Sequence, residues 1–382
     1  MINYKSILYN GVDDSFATSL LMEIANKCVC DSFYYDANDI ISVLNEKIIH
    51  DVVVIMIRDQ FEFENGFNYW SNNTCTTVEV IKKLGKIYPN KKFIILIEFE
   101  IEEVLNHDNI FFINFGGKVV DDPSYQTANI FQKNLLSEKV GISLNRQMRP
   151  QRIALISFLY GLGLDKNIHI SAMHLHKQLY KINSNDILDH LNWRFDKNHE
   201  FIKKIMARGL ETIFNKRDDF KIDEIYEMNG EAIIKLDNFN NFNNNLINLY
   251  KDSFVEIVSE SWFCEPFPFV TEKFQNSVYG RNFPIILSSS RYVEYLRKIG
   301  FDVFDDIIDH SYDTIQHPIE RLQAAIIKNK HLFIKKENTI DLWINNEHRF
   351  NKNIEFARKN MYTYFHERVI LKCKSILCNQ MI

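Results

Sequence analysis

The segment Thr271-Glu272-Lys273 places an acid and a base side by side at a predicted helix start. Thr271 has the side chain of an N-cap residue, and Glu272 then lies in the first helical turn, where the helix dipole favours an acid. Lys273 is less easily explained as a helix stabiliser, because cations favour the opposite end of a helix. An acid that accepts from ribose hydroxyls, beside a base that neutralises a phosphate, suits a nucleoside diphosphate. On these residues alone, an ordinary capped helix with a solvated lysine is the commoner interpretation.

A buried strand is predicted at 283–287, after this helix, and it runs into three serines at 288–290. The order of turn, helix and buried strand is typical of an α/β sheet that presents a ligand site at the carboxyl ends of its strands. Tyr279, Arg281 and Tyr312 are further candidates for the walls of such a site.

Three arginines, Arg146, Arg149 and Arg152, follow a second predicted strand at 140–144. The guanidinium fork donates two parallel hydrogen bonds and therefore suits a diphosphate. A helix predicted at 150–162 puts Arg149 at a helix start, where backbone N–H groups also face an anion. The alternative is that all three side chains are solvated, although the helix dipole disfavours cations there unless an anion is present.

Two separated blocks of the sequence resemble a known family. The runs 269–273 and 283–286 resemble the "TEK … P-(V/I)-(V/I)" signature of the α-1,3-fucosyltransferase family. They resemble still more a group of phage and giant-virus glycosyltransferase-like proteins, in which segments similar to 292–304 and 309–313 follow. The block 144–152 is similar to the "NRRPRPHR" element of the same group.

The resemblance covers about 140–170 and 254–330, with two departures. Phe274 stands where Thr or Leu is usual after TEK, and Gln151 stands where the basic block usually has His. These changes bear on sugar recognition more than on the nucleotide site.

The resemblance implies an α/β fold of two Rossmann-like domains facing a cleft, the GT-B type, that binds a nucleotide-diphosphate sugar as donor. In the family, an Arg and the Lys of the "EK" pair hold the diphosphate and the Glu holds the ribose. These would be Arg146 or Arg149, Lys273 and Glu272. Glu260, after a strand at 254–258, stands where the family often has an acid or amide near the sugar, although an exposed loop acid is the commoner interpretation. The predicted donor-binding residues are Arg146, Arg149, Arg152, Glu260, Thr271, Glu272 and Lys273.

An inverting transfer needs a general base on the first domain, within about 2.6–3.2 Å of the acceptor hydroxyl. The candidates are Asp13 and Asp14 after the first predicted strand, Asp59 after the third, and Glu98 or Glu100 after the fourth. Glu98 is preferred because it follows its strand directly. Each of these acids, taken singly, is more often a solvated loop acid.

No metal requirement is predicted. Asp218-Asp219 and Asp305-Asp306 are adjacent acids, but neither forms the Asp-x-Asp that metal-dependent transferases place after a strand. His174 and His176 are two residues apart and would point away from each other on a helix. The sequence contains no G-x-G-x-x-G, Walker loop, nucleophile elbow or H-E-x-x-H motif, which disfavours dehydrogenases, NTPases, serine hydrolases and zinc proteases.

The chain of 382 residues has a net charge of −5, so no global basic field recommends a nucleic-acid partner. Its six cysteines are scattered without C-x-x-C spacing, which predicts free thiols in a reducing compartment. Neither a secretory signal nor an apolar run of about 18 residues is evident, so a cytoplasmic protein of a bacterium or phage-infected cell is expected.

Alternating apolar runs and helical patterns predict the domain boundaries. We assign 1–135 to an acceptor domain, and 136–345 to a nucleotide-sugar domain with a helical insertion at 172–252. A C-terminal helix within 346–382 is expected to cross back to the first domain by analogy. The predicted strands are at 7–9, 32–35, 52–57, 93–97, 110–113, 140–144, 168–170, 254–258, 283–287 and 303–304.

Three hypotheses about the function remain open at this point. The first is transfer of a sugar to a glycan or small-molecule hydroxyl, and a narrower version makes hydroxymethylated DNA the acceptor, by base flipping. The second is a binding protein that kept the nucleotide site but lost the base. The third is a structural assembly protein with a degenerate fold.

Overall fold

The computed structural model describes residues 31–34, 52–57, 85–97, 109–114, 131–145, 150–171, 200–215, 246–260, 263 and 268–378. The chain divides into two compact units. The first consists of Met1–Asp122, Glu265–Val270 and Lys359–Ile382, and the second of Pro123–Cys264 and Thr271–Arg358. Both are of the mixed α/β class, with parallel sheets and helices.

The first unit contains a four-stranded parallel sheet in chain order. Its strands are β1 (Asp31–Tyr34), β2 (Val52–Ile57), β3 (Lys92–Ile97) and β4 (Ile110–Asn114). The sequences of β2 and β3 are almost wholly apolar, as expected for a parallel sheet covered on both faces. Four of the predicted strands are therefore confirmed, and the strand predicted at 7–9 lies outside the described residues.

The second unit contains another four-stranded parallel sheet, in the order β6-β5-β7-β8. Its strands are β5 (Gly141–Ser143), β6 (Ile168–Ile170), β7 (Val255–Ser259) and β8 (Phe283–Leu287). From β5 the chain passes to β6, which pairs with one side of β5, and it then returns to β7, which pairs with the opposite side of β5. The winding therefore reverses between β5 and β7, and ligands of doubly wound sheets bind outside the carboxyl ends of the strands at such a reversal.

Eight α-helices are assigned among the described residues. They are α1 (Pro150–Gly161), α2 (Glu200–Asn215), α3 (Leu246–Lys251), α4 (Glu272–Gly280), α5 (Tyr292–Ile299), α6 (Pro318–Asn329), α7 (His331–Ile334) and α8 (Lys336–Cys378). The helices predicted after β5, at the TEK segment and after β8 are confirmed, as is the helical spacing of the tail. Within the predicted insertion 172–252, the described parts are the helices α2 and α3.

Helices α1 and α2 pack against each other at two glycines. A Cβ atom built on Gly209 would approach the carbonyl oxygen of Ser157 to less than 3.0 Å, and one on Gly161 would approach the carbonyl oxygen of Ile205 equally closely. Leu155 and Met206 are fully buried in the same core, at 0% exposure. The two helix backbones therefore touch where both side chains are absent.

The strand predicted at 303–304 is wrong. Residues 301–304 are not in a strand, and Phe304 has a φ of 62°, in the left-handed region. The backbone N–H of Phe304 donates to Oδ1 of Asp302 at 2.9 Å. An aspartate that accepts from the amide two residues further on favours a turn, and this local hydrogen bond overrides the apolar pattern.

A buried acid and a buried base lie near the amino-terminal edge of the second sheet. Lys133 donates to the carbonyl of Tyr250 at 2.7 Å, the carbonyl of Ser253, and Oδ1 of Asn282 at 2.6 Å. Burial lowers the pKa of Lys133 well below its usual range. Burial also raises the pKa of Glu256, in β7, to about 8, although the Tyr250 hydroxyl donates to its carboxylate at 2.9 Å.

The raised pKa of Glu256 predicts a pH dependence of stability. Between the ordinary value of 4.5 and about 8, the native state holds a proton that the unfolded state has released. The free energy of unfolding therefore falls as pH rises through that window. From pH 5 to pH 7 the free energy of unfolding of the wild type should fall by about 2 to 3 kcal/mol relative to that of Glu256→Gln, whose side chain cannot ionise. Urea unfolding at both values measures this, and parallel pH profiles for the two proteins would contradict it.

Candidate functional site

Glu260 lies directly after β7, at the point where the winding of the second sheet reverses. Its exposed fraction is 0%, so it is not the exposed loop acid of the commoner interpretation. Its carboxylate accepts hydrogen bonds from the Thr271 amide at 3.3 Å, from the Thr271 hydroxyl, and from the Tyr292 hydroxyl at 2.8 Å. Burial raises the pKa of Glu260, and the nearby Lys273 ammonium opposes that shift.

The N-terminus of α4 is built as the sequence predicts. Thr271 is the N-cap, and its hydroxyl accepts from the Lys273 amide at 3.3 Å. The Lys273 ammonium donates to the Thr271 hydroxyl at 3.1 Å and to Oε1 of Glu272 at 2.8 Å. The side chains of Lys273 and Glu272 are 22% and 23% exposed, so solvent reaches both. The acid and the base therefore form a partly exposed pair that a ligand can contact.

Arg152 is held at the same edge of the sheet. It lies in the first turn of α1, is 3% exposed, and donates from Nη2 to the carbonyl of Ser259 at 3.3 Å. Ser259 is the last residue of β7 and directly precedes Glu260. Asn145, which follows β5, is also buried and donates to the carbonyl and hydroxyl of Ser143. Arg146 and Arg149 lie outside the described residues.

One series of contacts thus connects the basic block at 144–152 to the start of α4. It runs from Arg152 to Ser259, through Glu260 to Thr271, and from Thr271 to Lys273. Two cations from distant parts of the chain lie along the same strand end, together with the N-termini of α1 and α4. The first turn of α1 contains no acidic side chain. A helix N-terminus and a nearby ammonium both favour an anion.

The helix that follows β8 is capped differently. Asp313 accepts from the amides of Val293 and Glu294, at 3.0 and 2.9 Å, although it lies 20 and 19 residues further along the chain. Arg291 precedes α5 in the left-handed conformation, with a φ of 62°, and its side chain makes no cap. A carboxylate therefore already occupies the N-terminus of α5, whereas the first turn of α1 has no acidic side chain and the start of α4 carries the partly exposed Lys273 ammonium.

We expect Asp313→Ala to lower the free energy of unfolding by about 1 to 2 kcal/mol, because two helix amides lose their acceptor. Asp313→Asn should lose less, since its amide oxygen can still accept. Urea unfolding at neutral pH measures both variants. A wild-type midpoint for Asp313→Ala would contradict the capping role.

Arg321, in α6, is a buried residue whose contacts the sequence did not suggest. It is 2% exposed and donates to the carbonyls of Ser288 at 2.9 Å and Gln316 at 3.0 Å, and to those of Phe263 and Ile315. It thereby fixes the residue after β8 and two loops. An arginine in an amphipathic helix gives no sequence signal of this role, because its acceptors are main-chain oxygens.

The three aromatic or basic residues predicted as walls lie elsewhere. Tyr279 and Arg281 are at the opposite end of α4 from Thr271, and Arg281 forms an ion pair with Glu347 at 2.8 Å. Tyr312 is fully buried, and its hydroxyl accepts from the Ile286 amide at 3.0 Å. None of them lies along the contact series that joins Arg152 to Lys273.

The adjacent acids Asp305 and Asp306 are each paired with an arginine. Asp305 contacts Arg297 at 2.8 Å and Asp306 contacts Arg349 at 2.9 Å, and these guanidinium groups lower the pKa of both carboxyls. Both acids line a cavity of about 490 Å³. Over the part of the chain that the structure describes, no group of three or more His, Cys, Asp or Glu could hold a metal ion.

The candidate bases are not described by the structure. Glu98, Glu100, Asp13, Asp14 and Asp59 all lie outside the described residues, as do Asp218-Asp219 and the histidines at 174 and 176. Their assignment stays a prediction.

Comparison with protein-family models, with curated proteins and with solved structures gives no match to this chain. Within the described ranges, no helix combines the length and the apolar character needed to cross a membrane.

Proposed function

We propose that this protein is a glycosyltransferase that moves a sugar from a nucleoside-diphosphate sugar to an acceptor hydroxyl, without a metal and with inversion. The fold would be of the GT-B type, with the second unit binding the donor. The observation that carries the proposal is the contact series from Arg152 through Ser259, Glu260 and Thr271 to Lys273.

The electrostatics of this edge suit a diphosphate. The Lys273 ammonium is partly exposed beside the N-terminus of α4, and Arg152 lies in the first turn of α1. Positive groups held in place before the reaction stabilise the charge that develops on a leaving diphosphate. Arg146 and Arg149, which precede α1 in the sequence, would supply further guanidinium groups, and this chemistry does not require a divalent cation.

Glu272 would bind the ribose. Its carboxylate accepts from Lys273 at 2.8 Å and is 23% exposed, so hydroxyl donors of a ligand can reach it. A ligand that carries a diphosphate and vicinal hydroxyls would engage both members of the pair. Free inorganic phosphate would engage only the lysine.

A thermal-shift panel of sugar nucleotides tests the proposal. UDP-, GDP-, ADP- and dTDP-sugars are compared with the matching nucleosides, each with and without EDTA. At 100 times its Kd, a ligand stabilises the native state by about 2.7 kcal/mol. We expect one diphosphate sugar to raise Tm, its nucleoside to have little effect, and EDTA to change neither. No shift with any diphosphate sugar would refute the proposal.

An assay of sugar-nucleotide hydrolysis on the selected ligand separates the enzyme from a binding protein. Turnover that falls when the candidate bases Glu98, Asp13 and Asp14 are replaced supports catalysis. Binding without any turnover favours the non-catalytic alternative.

A narrower proposal makes hydroxymethylated DNA the acceptor, and the resemblance to phage proteins favours it. A flipped base would present the hydroxyl to the donor. The net charge of −5 counts against it, because duplex binding normally uses a basic surface. A gel shift with modified and unmodified duplexes at low salt tests this acceptor. Absence of any shifted band would dismiss it and leave the donor site unaffected.

A further inference from the structure

The carboxylate of Glu260 is enclosed within the proposed site, which its position after a strand does not predict. A buried carboxylate is costly unless its oxygens accept hydrogen bonds. Glu260 is 0% exposed, and both of its oxygens are engaged by the N-cap of α4 and by Tyr292. A fully enclosed acid with these contacts is placed to organise the site rather than to bind a ligand.

The Thr271 hydroxyl is where Glu260 acts on the lysine. A threonine hydroxyl has one proton to donate and two lone pairs to accept with. The proton of Thr271 goes to Oε2 of Glu260. Both lone pairs are then left to face Lys273, whose amide and ammonium donate to the same oxygen at 3.3 and 3.1 Å.

We propose that Glu260 is a positioning residue that orients the Thr271 hydroxyl so that it holds the Lys273 ammonium at the start of α4. This inference rests on the proposed function, in which that ammonium binds the diphosphate. Glu260 itself does not contact the donor. Tyr292, at the start of α5, donates to Oε1 of the same carboxylate and helps to hold it.

The variant Glu260→Gln tests the orientation with little change in size. Its amide oxygen still accepts from the Thr271 amide and from Tyr292. Its amide nitrogen donates to the Thr271 hydroxyl and takes one of the lone pairs that Lys273 uses. We expect the Kd of the selected diphosphate sugar to rise about tenfold, by isothermal titration at neutral pH. Glu294→Gln, an exposed acid of α5, serves as the control and should bind as the wild type does.

A double-mutant cycle separates this role from general damage to the fold. Thr271→Val removes the hydroxyl and should weaken binding by a similar factor, and Thr271→Ser should restore most of the loss. The double variant Glu260→Gln/Thr271→Val should be no worse than either single change, because both act through the same hydroxyl. The inference would be overturned if the Kd of the double variant rose by the product of the two single factors, or if Glu260→Gln bound with wild-type affinity. If Glu260→Gln does not fold, the Thr271 pair still decides, and equal affinity of the Val and Ser variants overturns it.

A readout without ligand distinguishes failure of the inference from failure of the proposed function. Amide hydrogen exchange at Lys273 reports directly on the bond to the Thr271 hydroxyl. We expect faster exchange at Lys273 in Glu260→Gln than in the wild type, with the α5 amides capped by Asp313 unchanged. If no diphosphate sugar binds the wild type, the proposed function fails, whereas unchanged exchange at Lys273 rejects the role of Glu260.

Discussion

Lys273→Ala is expected to lower kcat/KM for the selected diphosphate sugar by about 100-fold, because the ammonium would stabilise charge on the leaving diphosphate. The affinity for that sugar nucleotide should fall by a smaller factor. The reason is that the ground-state diphosphate would keep its proposed contacts to the α1 N-terminus and to the arginines of the block 144–152. Steady-state kinetics and isothermal titration on the same preparations measure both quantities.

The control for this variant is Lys298→Ala, an exposed lysine in the last turn of α5. It removes the same charge from the same unit without touching the start of α4. Tm should stay close to the wild-type value in both variants, since the ion pair of Lys273 with Glu272 is partly exposed and such pairs contribute little to stability. Equal kcat/KM values for Lys273→Ala and Lys298→Ala would show that Lys273 does not act on the diphosphate.

Gly209→Ala is expected to destabilise the second unit by about 3 kcal/mol or more, which is the range of severe overpacking in a close-packed core. The added Cβ would meet the carbonyl oxygen of Ser157, in the facing helix, at less than 3.0 Å. Because this neighbour is backbone, it cannot rotate away as a side chain could. Helices α1 and α2 would have to separate, which opens the core around Leu155 and Met206. Urea unfolding, with the midpoint and the slope fitted separately, measures the loss.

Gly163→Ala provides the matched control. Gly163 has a φ of 71°, and a Cβ atom added there would have no heavy atom of the described residues within 4 Å, its chain neighbours aside. Alanine there should cost only about 1 kcal/mol, from the left-handed backbone alone. A loss at Gly209 no larger than the loss at Gly163 would show that the two helices can move apart easily.

Local patterns predicted most of the regular elements. The apolar runs of β2, β3 and β8 are near-continuous, which is typical of strands buried on both faces. The N-cap at Thr271 was also predictable, because capping depends on neighbouring residues and backbone amides. Where a local hydrogen bond opposed the apolar pattern, as at Asp302 and Phe304, the prediction was wrong.

Contacts between residues far apart in the chain could not be predicted from the sequence. The burial of Glu260 depends on partners 11 and 32 residues away, and the cap of α5 depends on Asp313 in a later turn. The order β6-β5-β7-β8 is likewise set by strand pairing between distant segments, so the reversal point that brings Arg152 beside Ser259 could not be read from spacing. The resemblance suggested the residues of the candidate site, but it did not indicate which contacts hold them in place.

A crystal structure of the full chain with the nucleoside-diphosphate sugar that stabilises it most in the thermal-shift panel tests most directly whether the second sheet holds the donor. We expect the diphosphate at the carboxyl ends of β5 and β7, with a phosphate oxygen about 3 Å from the Lys273 ammonium and another phosphate contact from the 146–152 block. A diphosphate bound away from that edge, or held there by only one of the two segments, would contradict it.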